Sequence, residues 1–108
     1  MNYSVLTIAP FDSKFKRLAK KYPSLKSEII QLASDLSLNP LLGIPLGNNC
    51  FKIRLSIASK GKGKRGGARI ITCVKVIQEK VYLLSIFDKS EEETISENEL
   101  IQLISHIQ

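Results

Sequence analysis

The sequence predicts an α+β domain of order β-α-α-β-β-β-α, its helices packed on one face of a small, mainly antiparallel sheet. Two periodicities and one separation predict it. Apolar residues recur at helical spacing in three stretches and alternate with polar ones in others. The run Val81 to Phe87 is apolar on both faces, the mark of a central strand. The first two helices are set apart from a three-strand meander, which leaves the second sheet face open.

Tyr3 to Ile8 reads as the first strand, with Tyr3, Val5 and Thr7 on one side and Leu6 and Ile8 on the other, ended by Pro10. Asp12 is placed to cap a helix whose apolar stripe is Phe15, Leu18, Ala19 and Tyr22. Its outer face carries Lys14, Lys16, Arg17, Lys20 and Lys21, and Pro23 breaks it. Ser24 starts a second helix with Leu25, Ile29, Leu32, Ala33 and Leu36 facing inward, stopped by Asn39-Pro40. So short a connection makes the pair an antiparallel hairpin. Leu41 to Asn49 reads as a loop, because Gly43, Pro45, Gly47 and two Asn punctuate it.

Phe51, Ile53, Leu55 and Ile57 then alternate with Lys52, Arg54 and Ser56, a half-buried strand with one cationic face. Ala58 to Gly67 holds four Lys/Arg and four Gly and reads as a flexible connection. Ala68 to Ile77 is the next strand, with Arg69 and Lys75 on the side of Ile71 and Cys73. Gln78-Glu79-Lys80 turns into the central strand. Ser96 and Glu99 form a capping box that opens a last helix with Leu100, Leu103, Ile104 and Ile107 on one stripe.

At 108 residues, 44% hydrophobic and 24% charged, the chain fits one domain over residues 1–108 and is too apolar for disorder. No window is apolar enough to span a bilayer, and Met1-Asn2-Tyr3-Ser4 lacks the basic-then-apolar pattern of a signal peptide. A cytoplasmic location is expected. Cys50 and Cys73 are too few for a disulfide scaffold and lack zinc spacing. Each lies in an apolar run as a buried thiol, in keeping with a reducing compartment.

The net charge is +6, and it is segregated. Between Leu36 and Gln78 stand Lys52, Arg54, Lys60, Lys62, Lys64, Arg65, Arg69 and Lys75 with no Asp or Glu, whereas the rest of the chain has eight basic residues against ten acidic. A passive surface intersperses both signs, so this distribution points to a polyanion.

Histidine chemistry is excluded, since His106 alone is present, near the C-terminus on a polar face. No His/Cys/carboxylate cluster has metal-ligand spacing, Glu91 to Glu93 read as a solvated turn, and no cofactor is expected. The Gly61–Gly67 stretch lacks the Gly-Lys-Ser/Thr ending of a phosphate loop and precedes a strand. What remains is cationic. Lys52 and Arg54 share a strand face, Arg69 projects from the neighbouring strand, and Asp88 and Lys89 lie at the end of the same surface. Arginine offers phosphate oxygens a planar fork. A lysine crowded among other cations gives up its proton more readily and serves as a general base without histidine.

At these residues the sequence resembles the RelE/HigB superfamily of toxins from bacterial toxin–antitoxin modules. The resemblance rests on Cys50-Phe51-Lys52-Ile53-Arg54-Leu55, on Gly66-Gly67-Ala68-Arg69-Ile70-Ile71, and on Val81-Tyr82-Leu83-Leu84-Ser85-Ile86-Phe87-Asp88-Lys89-Ser90. It covers nearly the whole chain, and the Gly/Lys/Arg loop is similar to the HigB-like branch. The resemblance implies a RelE-like fold and a ribosome-dependent mRNA endonuclease that inhibits translation. In that reaction the ribose 2′-OH attacks the adjacent phosphate without a metal. By position, Lys52 and Arg54 match a basic strand pair and Arg69 the arginine that holds the scissile phosphate. The chain departs from RelE in having Ser90, and Ile95 or Ser96, where an arginine and a tyrosine stand. It also lacks the histidines of some HigB proteins, so Lys64 or Lys89 is expected to complete proton transfer.

The resulting expectation gives Arg54 and Arg69 the phosphorane charge, Lys52 or Lys64 the role of base, and Lys89 the leaving oxygen. Lys60, Lys62 and Arg65 would hold ribosomal RNA. The implied partners are the ribosome, mRNA and a cognate antitoxin of helix-turn-helix type. Two alternatives share the composition: a ParE-like gyrase inhibitor and a non-catalytic RNA-binding module. The first needs apolar anchors on its surface. The second needs aromatic stacking platforms, of which three Tyr and four Phe supply few.

Overall fold

The computed structural model describes residues 2–60, 66–92 and 94–107. Its elements are β1 (Ser4–Thr7), α1 (Ala9–Lys21), α2 (Leu25–Leu38), β2 (Ile44–Gly47), β3 (Cys50–Leu55), β4 (Ala68–Lys75), β5 (Lys80–Asp88) and α3 (Glu97–Ile104). A 3₁₀ turn at Ala58–Lys60 follows β3. The sheet runs β1-β5-β4-β3-β2, antiparallel except where β1 pairs with β5. The chain is an α+β RelE-like fold with a mixed, mostly antiparallel five-strand sheet.

One strand was not expected. β2 lies in the stretch 41–49 that reads as loop. Pro45 is tolerated because β2 is an edge strand, where one backbone N–H has no ladder partner to lose. Asn48 and Asn49, at φ 55° and 59°, form the two-residue turn that joins it to β3. The punctuation was real, but it belonged to a hairpin.

Other boundaries move for identifiable reasons. α1 begins at Ala9 with Pro10 in its first turn, so proline opens the helix there. Asp12 sits inside that turn, not at the cap, and Phe11 joins Leu18 in the core. The Ser24 hydroxyl caps no backbone N–H of α2; it contacts Glu28 at 3.2 Å and Ser59 at 2.8 Å. β3 stops at Leu55, although Ile57 is fully buried. β4 stops at Lys75, leaving Val76 and Ile77 exposed in the following turn. Lys60 ends the 3₁₀ turn and is not part of a flexible connection. No helix among the described residues is long and apolar enough to cross a membrane.

Alternation divides the sheet into two faces. Ile53, Ile70 and Ile86 are in register on one face and pack with Leu25, Leu32 and Leu36 of α2 in the core. The opposite face was expected to be open, and over β4 and β5 it is not. Arg69, Ile71, Cys73, Ser85 and Phe87 all lie on it, and all are buried. β1 pairs only with Lys80 to Leu83, and α1 runs beside the rest of β5. From there Lys14 reaches Ser85 Oγ at 3.2 Å and Glu99 of α3 at 3.8 Å, which brings α3 over this second face. The Ser96 hydroxyl accepts the Glu99 N–H at 3.1 Å and fixes where α3 begins. Leu100 and Leu103 are its buried residues.

Candidate functional site

The geometry of the site follows from the phase of one ladder. Val74 N–H donates to the Asn49 carbonyl at 2.9 Å, and the next pair along is Cys50 with Cys73. Hydrogen-bonded and non-hydrogen-bonded pairs alternate along an antiparallel ladder. Cys50–Cys73, Lys52–Ile71 and Arg54–Arg69 are therefore all non-hydrogen-bonded pairs. At such pairs the Cα atoms approach to about 4.5 Å and the side chains come closest.

Arg54 is exposed at the surface of β3, while its partner Arg69 is 1% exposed. The two arginines thus form one register pair, one exposed and one buried. Arg69 Nη1 donates to the Ala68 carbonyl at 3.2 Å. Like charges directly opposite across strands destabilise a sheet, and a buried guanidinium costs several kcal/mol more unless it is compensated (about 3 kcal/mol or above). Phe87 is in register with Arg69 and forms the apolar side of this spot.

Lys52 is half-buried on the same face, opposite Ile71. Lys89 continues β5 by one step, its N–H donating to the Gly67 carbonyl at 3.1 Å. Alternation from Phe87 puts it on the Arg69 face, where it is exposed. Lys52, Arg54 and Arg69 thus share one sheet face, and Lys89 follows the end of β5 on that side. Lys62, Lys64 and Arg65 lie outside the described residues.

Lys60 goes elsewhere. Its ammonium pairs with Asp88 on the opposite side of β5, and its side chain is only 10% exposed. Asp88 is fully buried and also accepts the Tyr22 hydroxyl at 2.7 Å, the Ser90 N–H at 2.9 Å and the Ser90 hydroxyl at 2.8 Å. Burial by itself raises the Asp88 pKa, but the Lys60, Tyr22 and Ser90 hydrogen bonds outweigh it and hold the carboxyl well below the usual carboxylate range. The same hydrogen bond, with burial, pushes the Tyr22 hydroxyl above its ordinary value. Lys60 Nζ also lies 5.6 Å from the centre of the Tyr22 ring and 3.4 Å from the Gly67 carbonyl. This buried network joins α1, the 3₁₀ turn and the adjoining ends of β4 and β5, directly behind Lys89.

Two supports escaped the sequence reading. Tyr22 reads as a stripe residue, and nothing in the helical pattern shows that its hydroxyl ends on a carboxylate 66 positions away. Gly43, at φ +106°, lies so close to β3 that a Cβ would meet the Lys52 carbonyl oxygen at 2.6 Å. A glycine inside a Gly/Pro-rich run was the available signal. Beside it, a groove of about 640 Å³ separates α2 from β3, with Glu28, Gln31 and Asp35 on one wall and Lys52, Ile53 and Arg54 on the other. Among the described residues, no group of three or more His, Cys, Asp or Glu is placed to hold a metal.

Residues 11–106 match the family model described as the RelE toxin of the RelE/RelB toxin–antitoxin system. The fold is similar to that of a free-state Escherichia coli toxin RelE carrying two arginine-to-alanine substitutions. The TM-score is 0.66 at 14% identity, and all of both chains is covered. It is also similar to the toxin–antitoxin complex RelBE2 from Mycobacterium tuberculosis, with a TM-score of 0.61 at 20% identity over 82% of this chain and 99% of that one. At those identities the solved structures bear on the fold alone, whereas the family match spans nearly the entire sequence. The chain belongs to the RelE toxin family.

Proposed function

We propose that this protein is a ribosome-dependent mRNA endonuclease that arrests translation. The reading is supported by Lys52, Arg54 and Arg69 lying on one sheet face, with Arg54 directly opposite Arg69. Two arginines facing each other across adjacent strands suit a reaction that builds negative charge on a phosphate.

The RNA supplies its own nucleophile. A lysine amine, from Lys52 or Lys64, takes the proton of the ribose 2′-hydroxyl, whose oxygen attacks the adjacent phosphorus. Arg54 hydrogen-bonds the equatorial oxygens, while Arg69 holds positive charge beneath them, where the dielectric is lower and that charge acts more strongly. The bond from phosphorus to the 5′-oxygen breaks, and Lys89 gives that oxygen a proton. The products are a 2′,3′-cyclic phosphate and a 5′-hydroxyl. Nothing in this sequence of events calls for a metal. Lys62 and Arg65 attract ribosomal RNA. Lys60, committed to Asp88, holds the end of β5 from which Lys89 departs. A cognate antitoxin neutralises this face in the cell.

The test is cleavage of a defined mRNA by purified protein, with and without translating ribosomes. Cuts that require the ribosome and leave cyclic phosphate ends are expected. Efficient cutting of naked RNA, or binding without any cutting, points to a different enzyme or to a non-catalytic RNA-binding module.

A further inference from the structure

Two nucleophilic groups lie on the same ladder as the candidate site and take no part in it. Cys50 and Cys73 are strand partners, and each is 1% exposed. Their pair is non-hydrogen-bonded, so their Cα atoms approach to about 4.5 Å, inside the range of about 4.4–6.8 Å that a disulfide spans. Both thiols lie near one acceptor, the Asn48 carbonyl, at 3.5 Å for Cys50 Sγ and 3.9 Å for Cys73 Sγ. Two buried thiols packed as small apolar groups would need neither this register nor a shared acceptor.

We propose that Cys50 and Cys73 form a hydroperoxide-reactive dithiol that closes into a cross-strand disulfide between β3 and β4.

The two partners are chemically unequal. The hydrogen bond from Cys50 draws the Cys73 thiol down to about 7 against the effect of burial, and Lys75 adds to that pull. Cys50 is pushed the other way, first by its hydrogen bond to Cys73 and then by burial. Cys73 is thus the attacking thiolate. It displaces water from hydrogen peroxide and becomes a sulfenic acid. The Cys50 sulfur then attacks the Cys73 sulfur and expels a second water. The two thiols lose two electrons and two hydrogens, and one peroxide becomes two waters. The exposed Asn48–Asn49 turn directly precedes Cys50, and hydrogen peroxide is small and uncharged.

Closure leaves the ladder where it is, since the strands already stand at bonding distance. The bond would lock the register that holds Lys52 opposite Ile71 and Arg54 opposite Arg69.

The experiment treats the reduced full-length protein with hydrogen peroxide, reads intact mass and maps the cross-linked peptides. The expected product has lost the mass of two hydrogens and contains a peptide joining Cys50 to Cys73. A thiol reductant restores the parent mass, and the oxidised form unfolds at a higher urea concentration. In Cys50→Ser, Cys73 should stop at a sulfenic acid that dimedone traps. In Cys73→Ser, Cys50 should stay a thiol. The proposal is overturned by stable oxygen adducts in the parent, by a cross-link between molecules, or by two thiols unchanged in folded protein. None of these readouts depends on RNA cleavage.

Discussion

Arg54 and Arg69 face each other across β3 and β4, one exposed and one buried, at a ladder position where side chains come closest. Their roles therefore need different substitutions. Arg54→Leu is expected to leave unfolding free energy unchanged or raise it by up to about 1 kcal/mol, because a like-charge neighbour is removed. The same change should lower the single-turnover cleavage rate on ribosomes by a factor on the order of a hundred. Urea unfolding and rapid-quench cleavage measure the two effects. A variant that is fully active removes Arg54 from the reaction.

Arg69→Ala is the wrong probe, because it empties a buried volume as well as removing a charge. Arg69→Met keeps most of the buried volume while removing the charge. The methionine variant should stay folded in urea titrations and cleave on the order of a hundredfold more slowly. Full activity in that variant would show that the buried charge does no chemistry.

The Lys60–Asp88 pair makes a prediction about pH. The folded Asp88 carboxyl titrates below its unfolded value, so its contribution is complete above about pH 4 and is lost as the pH falls further. Asp88→Asn strands the Lys60 ammonium and should cost about 3–5 kcal/mol at neutral pH. Its stability should then fall less steeply than the parent's below about pH 4. Lys60→Met combined with Asp88→Leu should recover part of the loss. Denaturant curves across a pH series supply all three comparisons.

Attraction and chemistry separate through salt. Neutralising Lys62 and Arg65 together should flatten the log–log salt dependence of ribosome binding by about 1.4, or roughly 0.7 for each phosphate that is no longer neutralised. Lys60→Met should leave that slope unchanged and lower stability instead, because its ammonium is held by Asp88. Affinity measured across a salt series decides between them. A slope change for Lys60→Met equal to that of a loop residue would place Lys60 on the RNA.

Gly43→Ala tests the support of Lys52. The new Cβ would press on the Lys52 carbonyl oxygen at 2.6 Å, in a backbone conformation unfavourable for alanine by about 1–2 kcal/mol. Loss of stability together with slower cleavage is expected. Unchanged values in both assays would mean that the β2–β3 hairpin positions nothing in the site.

Local pattern carried much of this architecture. Lys52 and Arg54 could be placed on one strand face because alternation is a property of consecutive residues. Their alignment with Arg69 depends on register, which no single strand encodes, and so does the placing of buried Arg69 opposite Phe87. Lys60 shows the limit most clearly. Its neighbours in the chain are glycines and cations, so it reads as part of a basic loop, yet its partner Asp88 is 28 positions away. β2 was hidden for the converse reason. Gly43, Pro45 and Gly47 are loop-like locally, and only an edge position beside β3 makes a strand of them.

The parallel pairing of β1 with β5 has a consequence for how the protein is made. Ser4 waits for Lys80, so β1 finds its place only after β5 has been made. Lys89 joins the cationic face only after the whole of β5 has left the ribosome. A nascent chain therefore carries Lys52, Arg54 and Arg69 without the neighbours that assemble them into a site. Contacts this distant in sequence also slow folding. The candidate site is therefore assembled only once β5 has been made, well after Lys52, Arg54 and Arg69 have been added to the chain.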